Sequence, residues 1–353
     1  MDLLPQTTAL LYSELLQQSL SGLPAERGVT YYQKQIRGRG YWYAELLVGS
    51  TKRQVALGPD AERLRARIAA HRDRVAADEQ DAHERERLVT MLRHGGAVTP
   101  DGASGRVLEA LERAGVFRAG GVLVGSHAFG VIGNMLGIRW PQATLRTQDM
   151  DIASDHIAVG VAPLARSVGD LLEDTGLGFI PVPALDRKSP STTFKIRGRQ
   201  IHVDLLTPMM GREDHAPVFV PVLKSYATPL RFLDYLIEAP TPAVVIAGRG
   251  ILVNVPDPAR FALHKIVTAQ RRAVHEHAKT HKDRAQASQM LEFLLQERPG
   301  DLSMAIKATM ERPRSFQVQL SKGIGRLEVE TREALLALGA HGLGGTTPRA
   351  PGS

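Results

Sequence analysis

Asp149 and Asp151 stand two residues apart in Thr147-Gln148-Asp149-Met150-Asp151-Ile152, and Asp204 follows in Ile201-His202-Val203-Asp204-Leu205-Leu206. Side chains alternate faces along a strand, so residues two apart share a face. Asp149 and Asp151 therefore point together, with Met150 and Ile152 opposite. In the later segment His202 and Asp204 share one face, and Ile201, Val203 and Leu205 share the other. Pairing the two strands would gather three carboxylates on one side of a sheet whose other side is apolar. Three such acids repel and raise one another's pKa. A divalent cation removes that cost, and hard oxygen ligands suit Mg²⁺ or Mn²⁺ with substrate phosphates completing the shell. Two such metals about 3.5–4 Å apart stabilise the attacking and leaving oxygens of a phosphoryl displacement.

Upstream runs Gly121-Val122-Leu123-Val124-Gly125-Ser126-His127-Ala128-Phe129, an apolar strand ending in Gly-Ser. Glycine allows a backbone to approach a phosphate closely, and main-chain N–H groups at a strand-to-helix turn bind anions. Ser126 adds a hydroxyl donor. Lys195, Arg197 and Arg199 precede the Asp204 strand and could meet a triphosphate or an RNA; solvated hairpin charges are the alternative. His202 reads as a structural histidine. His275, His277 and His281 share a polar stretch with Arg271, Arg272 and Lys279, which favours a solvated face over a metal site.

The order Gly-Ser, Asp-x-Asp, later Asp resembles the polymerase-beta-type nucleotidyltransferase superfamily. The apolar run into Gly-Ser-x-Ala-Phe and the Thr-x-Asp-x-Asp look closest to its bacterial branch with abortive-infection and toxin nucleotidyltransferases. That branch continues with a lysine-bearing helix and a later Lys/Arg-Asp pair; here Phe261-Ala262-Leu263-His264-Lys265-Ile266 and His281-Lys282-Asp283 follow. The resemblance spans residues 119–295. It implies that Asp149 and Asp151 bind metal, and that Asp204 is the third carboxylate, helping to deprotonate the acceptor hydroxyl. It implies that Gly125 and Ser126 hold the triphosphate and that Lys265 contacts phosphate. A solvated helix lysine is the alternative for Lys265, and an ion pair is the better reading of Asp283. The branch also raises an antitoxin protein as a partner. Asn134 to Arg146, with Trp140 and Pro141, departs from the minimal pattern as an extra loop that could reshape the nucleotide pocket.

The chain has 353 residues, 43% of them hydrophobic, ample for a core and two or three domains. It lacks cysteine, which excludes disulfides and thiolate metal sites. No apolar run approaches the roughly 20 residues that cross a bilayer, and Met1-Asp2-Leu3-Leu4-Pro5 lacks the basic start of a signal peptide. A cytoplasmic bacterial protein with no membrane partner is the expectation. The net charge of +7 favours anionic partners.

The expected fold is α/β (α+β): a nucleotidyltransferase core with a mixed sheet, a small N-terminal β-meander with helices, and a C-terminal helical domain. Residues 1–60 hold a helix over 6–21 and three strands, 61–118 form a helical connector, and 119–256 form the catalytic core. Residues 257–338 are helical, starting from the Asp257-Pro258 signal, and 339–353 read as a disordered tail. A helix is expected around Leu164 to Thr175 and a basic loop with Arg187 and Lys188 over 181–191. The meander holds five of the nine Tyr and Trp residues beside five Lys and Arg. That mixture suits stacking on nucleobases and contact to phosphates, or a small sheet packing its rings on a helix.

These features point to transfer of a nucleoside monophosphate from an NTP to an acceptor hydroxyl, the acceptor being RNA such as tRNA. Two other readings remain: transfer to a protein or a small molecule such as an aminoglycoside, and a nucleic-acid-binding protein with an inactive transferase fold.

Overall fold

The computed structural model describes residues 2–21, 29–36, 38–48, 51–145, 149–155, 162–183, 189–272 and 276–340. Thr147, Gln148, Arg146, Arg187, Lys188, His275 and most of the expected tail lie outside them.

The N-terminal part comprises β1 (Asp2–Leu3), α1 (Gln6–Ser21), β2 (Val29–Ile36), β3 (Arg39–Val48), β4 (Thr51–Pro59) and α2 (Glu62–His94). β2, β3 and β4 form the expected antiparallel meander. α2 runs for 33 residues, roughly 50 Å at 1.5 Å per residue. Near its start Arg72 donates to Tyr31 O at 3.2 Å and the His71 ring meets that of Tyr31 edge-on at 5.4 Å. Its last turns pack Val89 and Leu92 against Tyr12 and Leu15 of α1.

Next come α3 (Gly102–Arg113), β5 (Val122–Val124), α4 (Gly125–Leu136), β6 (Ile138–Arg139), α5 (Gln142–Leu145), β7 (Asp149–Ala153) and α6 (Val168–Asp174). β8 (Phe179–Pro181), β9 (Thr193–Ile196), β10 (His202–Pro208), β11 (Val218–Val220) and β12 (Ser225–Leu230) follow. The central sheet runs β11-β12-β10-β7-β5, with β9 on β10 and β8 on β9. β7 and β12 are parallel to β10, and the other pairings in this sheet are antiparallel, so the sheet is mixed. Its apolar face carries Leu123, Met150, Ile152, Val203 and Leu205, all fully buried.

The remainder is α7 (Leu233–Ile237), a hairpin of β13 (Pro240–Val245) and β14 (Ile251–Pro256), then α8 (Pro258–Arg271), α9 (His277–Glu297), α10 (Pro299–Met310), α11 (Arg314–Ile324) and α12 (Val329–Ala337). Asp257 caps α8 by accepting from Arg260 N at 2.9 Å, with Pro258 in the first turn. α11 crosses α8 at Gly323, where a Cβ would fall 2.1 Å from Ile266 Cγ2. One apolar cluster joins α3, the central sheet and these helices, from Ala103 to Ala340.

Two expectations need correction. Asn134 to Leu145 is not loop throughout. Asn134 is still in α4, β6 pairs with β1, and Trp140 is fully buried. Its indole stacks on Phe129 at 4.5 Å, and Nε1 donates to Phe129 O at 2.9 Å. An amphipathic ring with its one polar group satisfied belongs in a core. The helix expected from Leu164 begins only at Val168. Ser167 stops it there with a capping box, its hydroxyl accepting from Asp170 N while Asp170 accepts from Ser167 N.

Candidate active site

The parallel register of β7 and β10 sets Asp149 opposite His202 and Asp151 opposite Asp204. Met150, Ile152, Val203 and Leu205 anchor the reverse face in the core. A slip of one residue would bury the acids and expose the apolar set. The apolar residues therefore fix where the carboxylates stand. β9 continues the same face: Thr193 lies opposite Asp204 and Lys195 opposite His202. Thr193 Oγ1 donates to Asp204 Oδ1 at 2.5 Å. His202 Nδ1 lies 3.3 Å from Asp149 Oδ1, so this histidine belongs to the acid cluster rather than to the core.

On the other side of β7, Val124 pairs with Asp151 and Gly125 opens α4. Gly125 has φ +69°, and a Cβ there would fall 2.2 Å from Asp151 Oδ2. Only glycine meets both demands. Ser126 Oγ accepts from Gln286 Nε2 at 3.3 Å, and the same amide donates to Thr144 O at 2.8 Å. Gln286 on α9 thus ties the turn to the C-terminal helices.

The electrostatics record crowding of acids. Asp151 is pushed up to about 7, first by burial, then by Asp204; Lys265 opposes and Asp149 adds to the push. Asp151 keeps some exposed surface, yet the protein mass around it makes burial the largest cause. Asp204 is also raised by burial and by Asp149, against the hydrogen bond from Thr193. Lys279 counteracts at Asp151 and Asp204. Lys282 is lowered by burial and Lys265, and feels Asp149 and Asp151.

Lys265 is not the solvated lysine of the alternative reading, and its charge is felt at Asp151. It is buried, and its Nζ donates to Asp283 Oδ1 at 2.6 Å. Arg272 Nε donates to Asp283 Oδ2 at 2.6 Å. Asp283 is therefore the ion-pair residue expected of it. The exposed His277 and His281 match a solvated face. Gln286 escaped the sequence reading, while Lys279 was read only as part of a solvated stretch and Lys282 only as part of the later Lys-Asp pair. Their spacing of three and four puts them on one side of a helix, but α9 is polar on several sides, and nothing local marks which side meets the sheet.

Nucleotidyltransferases as a class use divalent metals. Among the described residues, no three His, Cys, Asp or Glu side chains close into a ready-made cage. The donor chemistry still fits. Hard carboxylate oxygens from adjacent strands, held at a repulsive spacing, suit a cation that takes a few protein ligands and completes its shell with substrate.

A mixed sheet aligns carboxylates on paired parallel strands, beside a glycine-serine turn at a helix start. A family profile described as nucleotidyltransferase matches residues 102–311, more than half of the chain. The chain belongs to that nucleotidyltransferase family and is a transferase enzyme. No curated protein and no solved structure gives a significant match. Among the described residues, no helix is long and apolar enough to cross a membrane.

Proposed function

We propose that Asp149, Asp151 and Asp204 catalyse transfer of a nucleoside monophosphate from an NTP to an acceptor hydroxyl, with release of pyrophosphate. The observation that carries this is the register that sets Asp151 opposite Asp204 next to Gly125. Asp149, Asp151 and Asp204 are the residues that would hold Mg²⁺ or Mn²⁺, which supplies charge neutralisation at the reacting phosphate. The Gly125–Ser126 turn aims the first N–H groups of α4 at the phosphates. Lys195 on β9 and Lys279 and Lys282 on α9 bring positive charge to the same side. Asp204 orients the acceptor hydroxyl and takes its proton. Lys265 supports Asp151 through space while paired to Asp283. Positioning and electrostatics dominate such chemistry.

The acceptor we favour is RNA. Lys34 Nζ lies 5.5 Å from the ring of Tyr32 and 5.0 Å from that of Tyr43, and the two rings stack at 5.8 Å. Arg72 of α2 lies 6.0 Å from Tyr31 and 5.9 Å from Trp42. Cations interleaved with rings suit a phosphate chain with exposed bases. The test is incorporation of label from each α-labelled NTP, with Mg²⁺ or Mn²⁺, into total cellular RNA and protein. Label in RNA that disappears with Asp149→Ala/Asp151→Ala supports the reading. Label in protein alone would replace the acceptor, and no label with any nucleotide would reject the activity.

A further inference from the structure

Gln286 lies on α9, outside the sheet, yet it is fully buried and its side chain reaches two other elements. Its Nε2 donates to Thr144 O of α5 at 2.8 Å and to Ser126 Oγ of α4 at 3.3 Å. Lys279 and Lys282 precede it on the same side of the helix, and Lys282 feels the charges of Asp149 and Asp151. The direction of these bonds follows from the groups. A main-chain carbonyl only accepts, so Thr144 O requires the amide nitrogen and fixes which end of the amide faces it. An amide nitrogen only donates, so the Ser126 oxygen must accept from it. The hydroxyl hydrogen of Ser126 is then left over. Ser126 stands in the first turn of α4 and keeps exposed surface. Its hydrogen therefore has room on the side where the first N–H groups of the helix have no partner inside it. Gln286 Oε1, by contrast, has no hydrogen-bond partner among the described residues, so what this side chain brings to the site is its two N–H donors.

We propose that Gln286 is a positioning residue that holds the Ser126 hydroxyl as a donor to the triphosphate. The proposal rests on the reading of the site as an NTP site. Without the amide, the hydroxyl hydrogen rotates among its staggered positions. With it, one lone pair of the oxygen is occupied, and the hydrogen is confined to the directions that remain. A donor into the oxygen also polarises the O–H and strengthens the bond that it donates in turn. A bond from this hydroxyl to a phosphate oxygen is charge-assisted. Gln286 touches no phosphate itself and acts through Ser126. An apolar side chain of similar volume would fill the same space but supply neither donor.

The test is calorimetric binding, in Mg²⁺, of inorganic tripolyphosphate, ATP, GTP, CTP and UTP to the full chain. Ser126→Ala, Gln286→Met, Gln286→Leu and the double variants with Ser126→Ala run beside wild type. Ser126→Ala should weaken tripolyphosphate and the best-bound NTP alike, by roughly tenfold or more, as expected for a lost charge-assisted hydrogen bond. Gln286→Met should weaken both by roughly threefold or more, the scale of coupling within one hydrogen-bond network. It should have no further effect once Ser126 is replaced by alanine. Equal weakening in the two backgrounds overturns the proposal, since Gln286 would then act by holding the turn and not through the hydroxyl. Unchanged affinity in Ser126→Ala, or in a folded Gln286 variant, overturns it too. Thermal melting shows which variants fold. Crystals of wild type with a non-hydrolysable NTP analogue decide the matter without them: Ser126 Oγ should lie within hydrogen-bond distance of a phosphate oxygen with Gln286 Nε2 still on it, and a Ser126 turned away from phosphate overturns the proposal. If wild type binds neither tripolyphosphate nor any NTP, the NTP reading of the site falls and the role of Gln286 falls with it.

Discussion

Replacing Asp283 by asparagine removes one charge from a buried cluster and leaves two others facing each other. The Asp283 side chain is 4% exposed and that of Lys265 11% exposed. Both carboxylate oxygens are engaged at 2.6 Å, one by Lys265 Nζ and one by Arg272 Nε. Removing one partner of a buried pair costs about 3–5 kcal/mol, because the remaining charge stays desolvated and unpaired. Urea denaturation at pH 7 should show a loss of that size for Asp283→Asn. The double variant Lys265→Met/Asp283→Leu should recover most of it, since apolar groups of similar volume replace such pairs at little cost. The pH dependence has a fixed sign. Burial pushes the Asp283 carboxyl up, but Lys265 and Arg272 outweigh it and leave the group below the ordinary 3.8. A depressed folded-state value contributes stability that is present above the unfolded value and lost as pH falls through the folded one. The gap between wild type and Asp283→Asn should therefore be full at pH 6–7 and shrink below about pH 4. A loss under about 1 kcal/mol at pH 7, or a gap that widens on acidification, would refute the reasoning.

Gly125→Ala should cost about 1–2 kcal/mol in stability from its left-handed backbone, but should lower pyrophosphate release far more, because its Cβ invades the space of Asp151 Oδ2; melting and turnover measured side by side check this. Trp140→Ala should cost about 3–5 kcal/mol by urea denaturation, as expected for a fully buried, stacked indole; a loss under 1 kcal/mol would contradict its place in the core. Tyr32→Ala and Tyr43→Ala should each weaken single-stranded RNA binding by about 1–3 kcal/mol while leaving NTP affinity unchanged, measured by fluorescence anisotropy and calorimetry.

The acid cluster was legible because a strand repeats every two residues. Asp149, Asp151 and Asp204 each alternate with apolar neighbours, and that alternation fixed their faces; their pairing was a condition, which the register of β7 and β10 meets. The Asp257-Pro258 helix start and the meander were legible for similarly local reasons. Trp140 was not, since a tryptophan followed by proline has the same local texture in a loop or a core; the stack on Phe129 decides it. β1 escaped notice because two residues of strand exist only through their pairing with β6. Lys265 could not be told from a solvated helix lysine, because its partner Asp283 lies 18 residues away on the next helix. The approach of Lys279, Lys282 and Gln286 to the site was not legible, because the direction of α9 toward the sheet is set by packing against α8, not by its own pattern.

The central claim is that the three carboxylates and the glycine-serine turn form one metal and triphosphate site. The most direct measurement is an anomalous-difference map from crystals of the wild-type protein with Mn²⁺ and a non-hydrolysable NTP analogue. The account predicts manganese density within ligand distance of Asp149, Asp151 and Asp204, with phosphate oxygens against the N–H groups at Gly125 and Ser126. Manganese bound elsewhere, or a triphosphate that avoids the start of α4, would contradict it.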